Sequence, residues 1–176
     1  MSNANSNKRA RRGQPKRSSF ADDLNCRVLP AAVNLLQKLD DVDFGNFESQ
    51  LQPIADGMGI NNNGVTEETS TSTLLKECMK FLVLKKIAGD EDATTLSPTD
   101  RLDAVWHKPL LNPRLYKSIN DAFGGEMINH NPEGGRDVAS RNERVRRTIE
   151  MYKAVFDTSA ISTSLVWEGS GQIPPG

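Results

Sequence analysis

Two short sequences, Ser97-Pro98 and Asn112-Pro113, each predict the start of a helix in the second half of the chain. Serine or asparagine suits the N-cap, and the proline after it suits the first helical position, where no N–H is needed. Asp100 would complete a capping box with Ser97. No segment alternates apolar and polar residues as a strand would. The sequence therefore predicts an all-α fold, a small irregular bundle of about five to six helices.

The clearest helix is predicted over Leu74–Ala88, and Gly89 ends it. An apolar stripe is expected to face the core. The acidic run Asp90-Glu91-Asp92 follows the helix C-terminus, where the dipole does not favour anions, so we expect it to face solvent. Four charged residues are expected on the solvent side of the helix: Lys76, Glu77, Lys80 and Lys85.

Further helices are predicted on either side. One begins at Asp22 or Asp23 and runs to about Leu39. A second runs from Phe44 to Leu51, and Pro53 breaks it. The helix after Asn112 ends at the pair Gly124-Gly125, and a final helix, capped by Asp137, runs to about Phe156. In the tail beyond it, Trp167 and the two residues before it are a candidate anchor.

Composition divides the chain further. Hydrophobic residues make up 36% of it, which is low for a chain that is folded throughout. We therefore predict a disordered basic leader at 1–19, an N-terminal helical segment at 20–57, a polar linker at 58–72, a helical domain at 73–157 and a C-terminal tail at 158–176.

Charge is unevenly distributed. Six of the 22 basic residues lie in the leader, which has no acid, so 16 basic residues face 23 acidic ones in the rest. Nucleic acid would therefore bind through the leader, whose short basic runs also fit a nuclear localisation signal. The alternative function that this supports is a nuclear protein associated with RNA or other nucleic acid. The leader's basic residues are Lys8, Arg9, Arg11, Arg12, Lys16 and Arg17.

Cys26 and Cys78 do not form a CxxC pair, so we expect reduced thiols. Cys78 lies on the apolar side of its helix and is expected to be buried. No apolar run reaches the roughly 18 residues of a membrane span, and no signal peptide is recognisable. We expect an intracellular protein, cytoplasmic or nuclear, without a membrane partner.

The only two histidines, His107 and His130, raise the alternative of a metal-dependent enzyme. Cys78 or Asp103 could add a ligand, but zinc needs three or four. On this count we expect no metal site and no cofactor.

A structural role accounts for the same residues. Trp106 would be a core anchor whose indole N–H donates to a backbone carbonyl. His107 would bond a loop carbonyl, with its tautomer fixed by Asp103 one helical turn earlier. His130 would hold the loop 126–135 against the helices.

The second half of the chain also carries a recognisable pattern. It resembles the family of glycine-rich-domain-containing proteins and their relatives in plants, algae, fungi and bacteria, over about residues 74–156. The family is known for no enzymatic reaction, and some members are described as having RNA-binding features. The residues that carry the resemblance are Phe81-Leu82, Leu84-Lys85, Leu96-Ser97-Pro98, Asp103, Val105-Trp106-His107, Leu110-Leu111, Tyr116, Phe123-Gly124, His130 and Pro132.

The chain departs from that family at three positions. Relatives usually read Trp-His-x-His, a cysteine four residues after the tyrosine, and paired histidines before the Asn/Asp-Pro. Here these positions hold Pro109, Asn120 and Asn129. The resemblance therefore implies a scaffold with fewer metal-ligating groups than its relatives have.

No complete catalytic or nucleotide-binding motif is present. We therefore expect a non-enzymatic helical module for protein–protein interaction or scaffolding, with another protein as the partner. Its candidate functional residues are Asp103, Trp106, His107, Tyr116 and His130.

Overall fold

The computed structural model describes residues 19–21, 28–57, 67–156 and 167. Within these residues the chain forms α-helices and short 3-10 helices and no strand, which confirms the all-α prediction. The 3-10 helices lie at Leu39–Asp41, Phe47–Leu51 and Pro132–Gly135. The α-helices are α1 (Pro30–Lys38), α2 (Gln52–Gly57), α3 (Glu67–Ala88), α4 (Asp100–Leu110), α5 (Pro113–Ala122) and α6 (Val138–Phe156).

Helix α3 lies at the centre of the fold. It contacts α1, α2, α4 and α6, as well as the 3-10 helix Phe47–Leu51. From Leu74 to Leu84 every side chain except Lys76 is buried, so α3 faces protein on nearly all sides. A helix in that position needs apolar residues around most of its circumference, and the run Phe81–Leu84 supplies them.

The predicted solvent side of α3 is wrong for three of its four residues. Glu77, Lys80 and Lys85 are buried, and only Lys76 is half-buried. Glu77 is satisfied by groups distant in sequence, because it accepts hydrogen bonds from the Tyr152 hydroxyl at 2.7 Å and from the Trp167 indole at 2.6 Å. These contacts place the predicted anchor residue Trp167 in the core. Leu165 and Val166 lie outside the described residues.

The acidic run after α3 does not face solvent as a whole. Asp90 and Lys85 form an ion pair of 2.6 Å with no exposed side-chain surface on either residue. The Asp90 carboxylate also accepts from the backbone N–H groups of Thr94, Thr95 and Leu96. Burial alone would raise the pKa of Asp90, but the hydrogen bonds from Lys85 and the loop outweigh it and hold that pKa below its usual value.

Helix α4 begins later than predicted. Its N-cap is Thr99, whose hydroxyl accepts from the Leu102 N–H, and not Ser97. Ser97 is held from another element, because Thr148 of α6 bonds both its N–H and its carbonyl. The predicted capping box is therefore absent, and Asp100 pairs with Arg141 instead.

Other helix boundaries agree more closely with the sequence. Asn112 caps α5 through a bond from Leu115 N–H, and Asp137 accepts from Ser140 N–H at the start of α6, both as predicted. Pro53 does not break the N-terminal pattern, because it occupies the first turn of α2, where its missing N–H costs nothing. Helix α3 begins at Glu67, so residues 67–72 of the predicted linker are helical.

Several predictions concern residues that the structure does not describe. These are the leader up to residue 18, residues 22–27 with Cys26, the linker from 58 to 66, and the tail apart from Trp167. The helix predicted from Asp22 or Asp23 to Leu39 begins only at Pro30, because Leu29 is its N-cap. Among the described helices, none is long and apolar enough to cross a membrane.

Replacing Asp90 tests the buried ion pair. Asp90→Asn leaves the Lys85 ammonium buried without its counter-charge, and we expect a loss of about 3–5 kcal/mol in the free energy of unfolding. Because the folded pKa of Asp90 is lowered, its stabilisation is present above the ordinary carboxylate pKa and is lost as the pH falls through the folded value. Urea unfolding at pH 7 and in acid should show a difference between wild type and variant that shrinks in acid.

Asp92→Asn is the matched control for that measurement, because Asp92 lies in the same loop and is exposed. It should change the free energy of unfolding by no more than about 0.5 kcal/mol. Equal effects of the two substitutions would contradict a special role for the ion pair.

Candidate functional site

The five predicted functional residues come together where α4 and α5 meet the loop 124–131. Asp103, Trp106 and His107 lie on one side of α4, since residues three and four apart are neighbours on a helix surface. Tyr116 faces them from α5, and His130 approaches from the loop. The structure therefore joins residues from three segments of the chain in one cluster.

A chain of buried hydrogen bonds forms the base of this cluster. The Trp106 indole N–H donates to the Tyr116 hydroxyl at 3.3 Å, and that hydroxyl donates to the carbonyl of Ile128. A backbone carbonyl was predicted as the acceptor for Trp106, and this is wrong. The acceptor is the Tyr116 hydroxyl, which in turn donates to a backbone carbonyl. Burial raises the pKa of Tyr116 to about 12, so the hydroxyl stays protonated and keeps its role as a donor.

Asn120 fastens the loop that carries His130. Its side-chain amide donates to the Tyr116 carbonyl at 2.6 Å and accepts from the Ile128 N–H at 2.8 Å. This role of Asn120 was not predicted from the sequence, where the residue stood out only as a departure from a family pattern. The loop turns away from α5 through Gly124 and Gly125, whose φ values of 114° and 91° lie in the region that glycine adopts at no steric cost.

The same loop is joined to the loop after α3. The backbone N–H of Asn129 donates to the Glu91 carbonyl at 2.7 Å. His130 follows directly, and its ring centroid lies 4.8 Å from that of Trp106. The position of His130 is therefore set by backbone contacts on one side and by an aromatic contact on the other.

Asp103, His107 and His130 converge at one edge of the cluster. His130 Nε2 lies 3.1 Å from Asp103 Oδ1, and His107 Nδ1 lies 3.8 Å from Asp103 Oδ2. The two imidazole centroids are 4.6 Å apart. One ligand atom from each residue lies within 4.8 Å of the others. His107 was expected to bond a loop carbonyl, but the structure places it against His130 and the Asp103 carboxylate.

A cleft of about 330 Å³ opens beside this triad. Its charged groups belong to α4 and α6, and two of them form the ion pair Arg141–Asp100. Arg144 donates to the Gly134 carbonyl at 2.5 Å and to Ser140 Oγ at 2.7 Å. This cleft was not predicted from the sequence. The side chains that matter in it are Asp100, Asp103, Trp106, His130, Arg141 and Arg144.

Other candidate groups do not join the site. Cys78 is buried, and burial raises the pKa of its thiol well above the usual range, so it stays an uncharged core residue as predicted. Arg146 and Arg147 both pair with Glu143, and hydrogen bonds from Arg146 and Arg147 lower the pKa of that carboxyl to about 2. That part of α6 is a salt-bridged surface.

No metal site was expected from the sequence, because two histidines are too few ligands and neither Cys78 nor Asp103 was assigned as the third. The structure supplies Asp103 as that third group. The signal was present in the sequence, since Asp103 and His107 are four residues apart on one helix, but the approach of His130 depends on a loop contact.

Comparison with known proteins gives no match, whether with family models, curated proteins or solved structures. The resemblance to the glycine-rich-domain-containing family therefore remains a prediction from the residues alone.

Removing the Asn120 side chain tests how the loop is held. Asn120→Ala leaves the buried Ile128 N–H without its acceptor, and we expect a loss of about 1–3 kcal/mol in the free energy of unfolding. Hydrogen exchange should also accelerate at the amides of Ile128 and Asn129. Asn129→Ala is the matched control, because its side chain is exposed and its backbone contact to Glu91 survives. Equal changes in unfolding free energy and amide exchange in both variants would show that the Asn120 side chain does not hold the loop.

Proposed function

We propose that this protein binds one divalent transition-metal ion through Asp103, His107 and His130 and exposes that ion to the neighbouring cleft. The observation that carries the proposal is the convergence of two imidazoles and one carboxylate from α4 and the loop 124–131, with their ligand atoms within 4.8 Å. Side chains of this kind are commonly scattered over a protein surface. Here a helix and a fastened loop bring them together beside a concave surface.

The three ligand atoms must move closer together to share one ion. Metal bonds to histidine and aspartate are about 2.0–2.2 Å, so ligand atoms on one ion are about 3.0–3.4 Å apart. His130 Nε2 is already this close to Asp103 Oδ1, at 3.1 Å. His107 Nδ1 lies 3.8 Å from the other carboxylate oxygen, Oδ2, and the three atoms that would share the ion lie within 4.8 Å of one another. His107 carries the adjustment, because its side chain is half-exposed in the last turn of α4 and can rotate.

The ligand types narrow the choice of ion. Imidazole with one carboxylate suits zinc, iron, cobalt or nickel rather than magnesium or calcium, which prefer oxygen ligands alone. Three protein ligands are too few for a closed structural zinc site. They leave coordination positions open to water or a small molecule, which fits a site at the edge of a cleft.

The surroundings hold the two ligand-bearing segments in place. Trp106 packs against His130, and its indole is fixed by Tyr116. The loop on the other side is bonded to Asn120 and Glu91. Support of this kind reduces the ordering cost of binding, and its loss typically weakens metal affinity.

A second proposal is the protein-interaction module expected from the sequence. It is favoured by two exposed apolar side chains on the segments that carry the triad. Leu111, at the C-cap of α4, is 81% exposed, and Met127, in the His130 loop, is 48% exposed. The third proposal, association with nucleic acid in the nucleus, rests on the leader, which lies outside the described residues.

Isothermal titration of the untagged chain with Zn²⁺ or Co²⁺ tests the metal proposal. We expect one ion per chain, with affinity reduced about 10- to 100-fold or more in His107→Ala and Asp103→Asn because each removes a ligand. Affinity should also fall in acid, since protons compete for the ligands. Asp41→Asn, an exposed acid in the 3-10 helix Leu39–Asp41 and outside the lining of the cleft, should bind as wild type does. Absence of saturable binding, or equal binding by His107→Ala, would refute the site.

The interaction proposal has its own test. The double substitution Leu111→Ser and Met127→Ser removes exposed apolar surface that the core does not use, so the fold should keep its thermal stability. We expect specific capture of a partner by residues 20–176 to be lost in this variant and retained in Arg147→Gln. Capture that requires only residues 1–19 would contradict the proposal.

A further inference from the structure

The cleft beside the triad is electrically balanced until an ion enters it. Its two arginines, Arg141 and Arg144, face two carboxylates, Asp100 and Asp103. A divalent ion at the triad would leave the cleft with a net positive charge of about two, in a recess where opposite charge binds more strongly than on an open surface. A positively charged recess of this kind attracts an anionic ligand.

We propose that the metal-loaded cleft binds a small organic oxyanion, a carboxylate or phosphate monoester, between the ion and the guanidinium of Arg144. This inference rests on the metal site proposed above. Guanidinium groups match the planar, paired oxygens of such anions. An ion with open coordination positions takes the same oxygens, so one oxyanion group can be held from two sides.

Arg144 is fixed before any ligand arrives. Its Nη1 donates to Ser140 Oγ and its Nη2 to the Gly134 carbonyl, which uses two of the five N–H groups of a guanidinium. Gly134 is suited to this contact, because a Cβ there would lie 3.3 Å from Arg144 Nη2 and would crowd it. An arginine already held in one position loses little conformational entropy when an anion binds.

Arg141 is the second cation of the cleft. Among the described residues its partner is Asp100, and that pair is partly exposed. Because Asp100 offsets its charge, Arg141 contributes less to anion binding than Arg144 does. We therefore place the oxyanion on Arg144 and leave Arg141 to shape the wall of the cleft.

The cleft has room for more than an ion and its waters. At about 330 Å³ it falls at the small end of the range for ligand sites. Apolar side chains on its wall suit a hydrocarbon or aromatic body attached to the oxyanion. These side chains are Ala93, Leu96, Pro98 and Trp106.

The experiment uses the full chain loaded with Co²⁺ and three ligands of nearly equal size: benzoate, phenyl phosphate and uncharged benzamide. We expect benzoate or phenyl phosphate to bind, to perturb the visible absorption of the cobalt, and to bind about 10-fold or more weakly to the metal-free chain. Benzamide should bind at least about 10-fold more weakly than the better anion, because it lacks the negative charge.

Arg144→Gln separates this inference from the metal site. It should keep the Co²⁺ affinity and lose about 10-fold or more in anion affinity, whereas His107→Ala should lose both. Arg147→Gln is the matched control on the same helix, where the arginine is exposed and paired with Glu143, and it should change neither.

Each outcome decides between the two proposals. A chain that binds no cobalt refutes the metal site and this inference together. Cobalt binding without anion binding refutes this inference alone, as does anion affinity that is independent of the ion, unchanged in Arg144→Gln or matched by benzamide. Binding of just one of the two anions supports the inference and shows whether the ligand is a carboxylate or a phosphate.

Discussion

Lys85 and Asp90 carry opposite charges with no exposed side-chain surface, so neither is stable in the core without the other. The pair does more than cancel charge. The Asp90 carboxylate also takes the backbone N–H groups of the loop that follows, which fixes the path of the chain from α3 into α4. The Lys85 ammonium lies 5.8 Å from the ring centroid of Trp106, so the pair directly supports the base of the candidate site. Helix α4 and the residues it carries depend on this arrangement.

Both halves of the candidate site are tied to that loop. One half, Asp103 with His107, lies on α4, which the loop leads into. The other half, His130, follows the residue that bonds to the Glu91 carbonyl. The backbone therefore sets how far apart the two segments lie, and the half-exposed His107 side chain can rotate within that spacing. The same cluster therefore suits two roles. It can hold the loop against α4 through the His130–Asp103 hydrogen bond, and it can serve as a ligand set for an ion.

The sequence predicted what depends on local pattern. Helical spacing and the caps at Asn112 and Asp137 predicted the later helices, and the residues named around the Trp-His segment lie together in the structure. What the sequence could not predict was which charged groups are buried, because their partners lie far along the chain. The sequence places Glu77 on the solvent side, but Tyr152 and Trp167 bury it and donate hydrogen bonds to it. The sequence named Asp103 as a possible third ligand, but it could not choose between Asp103 and Cys78 or predict that His130 lies beside Asp103.

The bond from the Asn129 N–H to the Glu91 carbonyl joins two backbones and involves no side chain. Both side chains there can be exchanged while the link survives, with one exception: proline at position 129 has no N–H to give. The distance between the two segments that carry the histidines is thus determined by a contact between main chains. Variation at these loop positions can alter the surface around the site, its charge and its shape, without moving the imidazoles apart.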